Sequence, residues 1–374
     1  MSTYLFITGK DSALSIAELE ARFPTGKIDT IGDEFVVMEV DKKINQDELN
    51  MLGGIIKIGA VLGESDSKSL ADDLVECLMD GNVRSKINYG ISLYGNKKIQ
   101  LRSLLISLKK KLQKNGVSSR FANQNFKNIS TAQYKGLKKK GVELLAAKDG
   151  DRFIIAKVIA NQDIDSYSRR DYYKPFRDMR VGMLPPKLAQ IMINLAGDVG
   201  KIWDPFCGGG VLVMEGLLMK HEMMGSDISQ ANLDGAIKNV DWLQVEYNFR
   251  NRVDLFVHDA TKPLPDKEFD AIVCEGYLGP PQNYIQSADR LNLIIDELEK
   301  LYVGFFTAIK EIGFKGPIVI ALPFFRIKGK TEFELKETVE KIKNIGFVLK
   351  TEPLKYARED QAVGRAIYQF SFIN

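Results

Sequence analysis

Cysteine and histidine are scarce in this chain: Cys77, Cys207 and Cys274 are its cysteines, His221 and His258 its histidines. Three cysteines with no CxxC pair argue against a disulfide framework and a cysteine-rich zinc site. Two histidines cannot build a His-rich centre, so no metal is expected. Long apolar runs are also missing; none approaches the ~20 residues that cross a bilayer. The opening MSTYLFITGKDSALS lacks the basic stretch and long apolar core of a secretory signal, so no membrane association and a reducing cytoplasm are expected. The most informative absence is of acid. Between Gly81 and Val142 there is no Asp or Glu, against fifteen Lys and Arg, while the 374-residue chain carries only +3 overall. An evenly mixed surface would not segregate in this way. A basic block of this size is the footprint of a polyanion-binding surface, nucleic acid first, with a solvated basic helix as the plainer alternative.

What is present alternates regularly. Tyr4–Thr8 reads as a strand, followed by a helix from about Ser15 to Phe23, where Ser15 and Glu18 have capping-box spacing. Ile28–Val40 alternates as a strand or hairpin, Asp47–Met51 looks helical and Ile55–Val61 extended, which together suggest a small α+β domain. Ile87–Tyr94 starts a second group. In Ile99–Asn115, Leu101, Leu104, Leu105, Leu108 and Leu112 recur at helical spacing with Lys109, Lys110 and Lys111 on the flank. Val117–Ala122, with Arg120, is short and extended; Ser130–Lys140 is a second basic helix ending in Lys138, Lys139 and Lys140. Val142–Ala147 and Arg152–Ala160 pair plausibly as strands, and Tyr167–Pro186 has the composition of a linker. From Lys201 onward strands and helices alternate, at Lys201–Asp204, Glu222–Ser226, Val253–His258, Phe269–Cys274, Pro317–Leu322, Phe347–Thr351 and Ala366–Ile373, the pattern of a parallel sheet with helices on both faces.

Within that alternation, Lys201–Leu218 (KIWDPFCGGGVLVMEGLL) is a strand ending in Asp204, a glycine turn with Phe206, Gly208 and Gly210, and a helix. Glycines there admit a ligand to the backbone, and the helix start offers free N–H groups. Asp227, followed by Ile228, ends the next strand, where a carboxylate accepts from a ribose hydroxyl pair. Asp259, followed by Ala260, ends the third and is placed to accept from an adenine amino group. Three strand-terminal acids in consecutive units describe a nucleoside site. A dinucleotide is disfavoured because Val213 stands where the third glycine belongs.

The fourth strand runs into Glu275-Gly276-Tyr277-Leu278-Gly279-Pro280-Pro281. The run Asp-Pro-Phe-Cys-Gly at 204–208 resembles the first motif of methyltransferases that act on amino groups, which implies alignment of an exocyclic nitrogen, an acceptor for its hydrogens and an aromatic ring on the base. Glu275 is the candidate acceptor and Tyr277 the candidate stacking ring. Cys274 lacks the preceding proline of a pyrimidine-methylating nucleophile and reads as a small buried residue.

Asp-Pro-Phe-Cys-Gly is similar to the first motif of amino-directed S-adenosylmethionine methyltransferases, and nearly the whole chain resembles the THUMP-domain tRNA guanine-N2-methyltransferases. YLFITGKDSALSIAELEARF is similar to the opening of their ferredoxin-like domain, RRDYYKPFRDMRVGMLPPKLAQIMINLA to their connecting segment, and TEPLKYAREDQAVGRAIYQFSF to their final hairpin. The resemblance implies an α/β chain: a C-terminal Rossmann-like seven-stranded methyltransferase domain (187–374) behind a ferredoxin-like domain (1–58), a THUMP domain (59–165) and a linker (166–186). It implies S-adenosyl-L-methionine as cofactor, with Arg180, Gly182, Met183 and Leu184 helping to close its pocket. It further implies tRNA as partner and guanine N2, position 10 type, as target. Where the family has Asp-Pro-Pro-Tyr this chain has Glu-Gly-Tyr, which leaves open a catalytically degenerate RNA-binding protein or an amino methyltransferase for adenine or DNA. A monomer is expected, with the need for an auxiliary subunit left open.

Overall fold

The computed structural model describes residues 1–80, 86–95, 99–177, 183–264, 266–280, 288–327, 331–358 and 361–372. They form two compact units, Met1–Ile164 and Asp165–Asn374.

The first unit runs β1 (Ser2–Thr8), α1 (Ser12–Arg22), β2 (Lys27–Ile31), β3 (Phe35–Val40), α2 (Gln46–Asn50), β4 (Ile55–Asp66), α3 (Leu70–Met79), β5 (Lys86–Tyr94), α4 (Leu101–Lys114), β6 (Ser118–Phe121), α5 (Thr131–Leu137), β7 (Gly141–Asp149) and β8 (Arg152–Asn161). Its strands make one sheet, ordered β2-β3-β1-β4-β8-β7-β5-β6. The boundary expected at 58/59 falls inside β4, which pairs with β1 on one side and β8 on the other. Period-two alternation divides the strand residues between faces: Leu144 and Ala146 pack with the buried leucines of α3 and α4, Leu145 and Ala147 with Ile129 and Tyr134. The capping-box expectation is corrected here. The helix begins at Ser12, so Ser15 and Glu18 lie inside it, buried, and bind a distant turn instead. Glu18 accepts from the N–H groups of Gly53 and Gly54 at 2.8 Å each, and Ser15 Oγ donates to the Gly54 carbonyl.

Topology gathers the basic block. β5 is parallel to both β6 and β7, and Asn88 is the register partner of Arg120 on one side and Gly141 on the other. The N-terminal ends of these three strands therefore lie together. Lys138, Lys139 and Lys140 directly precede β7, and the last turns of α4, with Lys109 to Lys114, lead into β6. Lys109, Lys110, Arg120, Lys138, Lys139 and Lys140 are exposed, whereas Lys111 is half-buried and paired with Asp72 at 2.5 Å.

At the junction, α6 (Ile164–Ser168) continues into five π-helical residues, Arg169–Tyr173. The second unit then runs α7 (Pro186–Leu195), β9 (Lys201–Asp204), α8 (Val211–Leu218), β10 (Glu222–Asp227), α9 (Gln230–Glu246), β11 (Val253–Val257), β12 (Ala271–Glu275), α10 (Ala288–Glu311), β13 (Ile318–Ile327), β14 (Thr331–Glu334), α11 (Lys336–Ile345), β15 (Phe347–Leu349), β16 (Leu354–Tyr356) and β17 (Val363–Phe372). Seven strands form a continuous path, β11-β10-β9-β12-β13-β17-β15, with β14 and β16 added beside β13 and β17. β9 through β13 are mutually parallel and β17 is antiparallel. This is a Rossmann-like α/β fold. Trp203, Ile272, Cys274, Tyr302, Phe305 and Phe324 belong to its aromatic-rich core, which anchors the strand ends that carry the acids.

Candidate cofactor and active site

Sheet order reverses between β9 and β12: from β9 the chain winds outward through β10 and β11, then returns to the other side of β9 with β12. Ligands of such sheets bind at this switch point, outside the carboxyl ends of the strands. Asp204 ends β9, Glu275 ends β12, Asp227 ends β10, and Asp259 lies two residues beyond β11.

Two adjoining cavities open along this edge. The larger, about 480 Å³, is bordered by Asp227, Ile228, Asp259, Ala260, Glu275 and Tyr277, among others. The smaller, about 140 Å³, is bordered by Asp204, Cys207, Gly209, Met183, Leu184 and Lys174. Phe206, Gly208, Asn232 and Glu275 border both. Among the described residues expected to hold the cofactor or act in catalysis, Gly210 alone stands apart from these walls; it opens α8 in the left-handed conformation (φ 77°), with Ala236 against it. Arg180 and Gly182 lie outside the described residues.

The acids differ in environment. Asp227 is engaged on both oxygens: Oδ2 accepts from the Gly208 N–H at 3.0 Å, Oδ1 from the Ser229 N–H and the Asn232 amide. It fixes the glycine turn. Gly208 itself has positive φ (51°), and a Cβ there would meet no atom within 4 Å, so the backbone faces open space. Asp259 Oδ1 accepts from the hydroxyl and N–H of Thr261, which hold its carboxyl below the usual carboxylate range. Asp204 is buried at 2% exposure. Burial, with the charges of Asp227 and Glu275 adding, pushes its carboxyl well above the ordinary value against the one N–H of Phe206.

Glu275 accepts a hydrogen bond from Nε of Arg365, a residue of β17 only 3% exposed. Burial lifts the Glu275 carboxyl upward, and the Arg365 guanidinium pulls against that rise. Tyr277 is 46% exposed, and its carbonyl accepts from the hydroxyl of Tyr302 at 2.6 Å, which fixes the loop beneath the ring. Cys274 is fully buried, and burial with the charges of Asp204 and Glu275 holds its thiol well above the usual range; it is packing, not a nucleophile. His258 Nε2 lies 3.1 Å from the Lys262 carbonyl, and no group of metal-ligating side chains is found among the described residues.

Sequence reasoning missed Arg365, Lys174, Phe176 and Asn232. Phe176 lies in the segment expected to be linker, yet its N–H donates to Asn239 Oδ1 at 2.8 Å, and Asn239 Nδ2 donates to the carbonyls of Phe176 and Gly209. A Cβ on Gly209 would sit 3.2 Å from the Phe176 ring and one on Gly235 would collide with it, so two glycines make room for this strap. Its run of charge, aromatics and proline is the signal that resembles a loop. The signal that could have found its anchor is a lone buried asparagine inside α9.

Residues 174–311 match the protein family described as RMKL-like, methyltransferase domain. Over 179 residues the chain is 31% identical to the tRNA (guanine(10)-N2)-dimethyltransferase of Methanothermobacter thermautotrophicus, covering 47% of this chain and 48% of that protein. It is also 31% identical over 158 residues to the protein of the same name from Pyrococcus abyssi, covering 41% of each. The chain thus matches less than half the length of these relatives. The crystal structure of TrmN from Thermus thermophilus aligns over 99% of this chain and 100% of its own, with a TM-score of 0.55 at 14% identity, a likeness of fold. Residues 174–311 of the second unit thus match the description of an RMKL-like methyltransferase domain, and they lie on a Rossmann-like sheet.

Proposed function

We propose that the chain is an S-adenosyl-L-methionine-dependent tRNA methyltransferase acting on an exocyclic amine, guanine N2 of the position 10 type. The observation that supports this most is the placement of Glu275, which borders both cavities at the switch point, between the acids suited to a nucleoside and an exposed tyrosine. The groove suits the cofactor on its own terms: open space stands where a Cβ of Gly208 would be, and carboxylates line the larger cavity. Asp227 would hold the ribose hydroxyls, Asp259 the adenine amino group, with Ile228 and Ala260 against the base, and Asp204, Phe206, Met183 and Leu184 the amino-acid end. When bound, the cofactor supplies an electrophilic methyl group.

The chain's own part is positioning. The Glu275 carboxylate accepts a hydrogen of the target amine and turns its lone pair toward the cofactor, which is the alignment that such a transfer needs. Arg365 keeps that carboxylate ionised and oriented, and Glu275 takes the proton that the alkylated nitrogen sheds. Tyr277 stacks on the flipped guanine. Lys109, Lys110, Arg120, Lys138, Lys139 and Lys140 hold the tRNA backbone, and Lys111, already paired with Asp72, contributes less. On this reading the first unit contains the ferredoxin-like and THUMP-type modules and the second the catalytic domain, working as a monomer in a reducing cytoplasm. Three free cysteines fit that setting, and among the described residues no helix is long and apolar enough to cross a membrane. The test is transfer of labelled methyl from the cofactor to bulk tRNA. Transfer to tRNA and not to DNA supports the reading; RNA binding without transfer would make the chain a degenerate member.

A further inference from the structure

Lys174 is a cation enclosed without a full complement of charge. It is 4% exposed and borders the smaller cavity opposite the glycine turn. Its Nζ donates to two neutral carbonyls, those of Arg170 and Asp171, at 3.1 Å each. The nearest carboxylate, Asp171 Oδ1, is 4.0 Å away, too far for a hydrogen bond. An ammonium has three donors, so one is left over. Neighbouring cations do not release a carboxylate to it. Arg170 takes Glu215 at 2.6 Å, and Arg177, whose guanidinium lies over the Tyr172 ring, has a buried Nε with no hydrogen-bond partner. Among the described residues, three cations and an orphaned N–H thus face two carboxylates in this corner. Buried charge without a partner is costly, and a site that retains it is completed by something else.

What completes it must satisfy two walls. Lys174 calls for an anion, while Asp204 on the same cavity is a buried acid with one N–H donor, suited to a cation. A phosphate or sulfate would satisfy the first and oppose the second. An α-amino acid satisfies both, its carboxylate toward Lys174 and its ammonium toward Asp204. The strap that carries Lys174 is held on the glycine turn through Asn239, so the cation is presented in a fixed place. We infer that Lys174 is the carboxylate receptor for the amino-acid half of the cofactor, and that the strap at 174–176 is part of the binding cleft and no mere connection. This rests on the methyltransferase reading and names a ligand contact within it.

The test compares S-adenosylmethionine with its decarboxylated form, which keeps the nucleoside, sulfonium and ammonium, by calorimetry on the full chain. Wild type is expected to prefer the carboxylated ligand by about ten- to hundredfold, the range for a hydrogen bond to a charged group. Lys174→Met should erase that preference while leaving affinity for the decarboxylated ligand within about twofold, and Lys174→Arg should restore part of it. Equal affinities in the wild type, or a Lys174→Met protein that weakens both ligands alike, would overturn the inference while sparing the methyltransferase reading. Failure of both ligands to bind the wild type would overturn both. Equal wild-type affinities overturn the inference even where a variant does not fold.

Discussion

Nε of Arg365 donates to Oε1 of Glu275 across 90 residues of sequence, joining the end of β12 to the last strand of the sheet. Breaking a buried ion pair from one side leaves an uncompensated charge and costs about 3–5 kcal/mol. Arg365→Met should therefore lower stability in denaturant melts by that order, and pairing it with Glu275→Leu should recover most of the loss. Equal destabilisation by the single and double variants would show that the pair is not coupled.

Because burial raises the Glu275 carboxyl while its ionised form is the acceptor, methyl transfer should climb with pH through a midpoint above the ordinary glutamate value. Arg365→Lys, which lacks the planar fork, should move that midpoint further upward. Glu275→Gln should lower turnover by about 10²-fold, the scale on which a single transition-state contact acts. A pH profile of kcat/KM in wild type and variants reads all three.

Asp204 should make stability depend on pH. Its carboxyl is raised in the folded state, so between the ordinary value near 4 and that raised value the native state holds the extra proton. Stability contributed this way is present at low pH and falls as pH rises through the window. Thermal melts without cofactor should show that decline, and Asp204→Asn should flatten it and raise Tm by a few degrees at pH 7.5 while weakening cofactor uptake.

The two left-handed glycines should separate in a mutant test. Gly210→Ala forces a Cβ to 3.0 Å from Ala236 at φ 77° and should cost stability, about 1–2 kcal/mol for the backbone alone. Gly208→Ala meets open space, so its larger effect should be on cofactor affinity, read by calorimetry beside the melt.

Replacing Lys138, Lys139 and Lys140 together by Ala should weaken binding to tRNA and reduce the slope of log K against log salt by roughly 2–3, one unit or slightly less per phosphate contact. Lys111→Ala should change the slope least of the α4 lysines, since Asp72 already neutralises it. A filter-binding series in potassium chloride measures both.

Much of this was legible in sequence because local pattern and tertiary role coincide. The first three strands after Lys201 are short, β9 and β10 end in acids and a third acid follows β11 by two residues, so the alternation alone located Asp204, Asp227 and Asp259. Where the partner lies far away, the pattern misleads. Ser15 and Glu18 have the spacing of a helix cap but serve the turn at Gly53 and Gly54. Arg365 looked like one more residue of a closing hairpin because nothing near it in sequence names Glu275. The 174–176 strap has loop composition, and its order depends on an asparagine 63 residues downstream of Phe176. α3 escaped notice although Leu70, Leu74, Val75 and Leu78 carry its buried face.

The most direct test of the account is nucleoside mass spectrometry of unmodified tRNA incubated with the full chain and methyl-deuterated S-adenosylmethionine. The account predicts deuterated N2-methylguanosine from wild type and its near absence with Glu275→Gln. Label in another nucleoside, or none in a protein that binds both tRNA and cofactor, would contradict it.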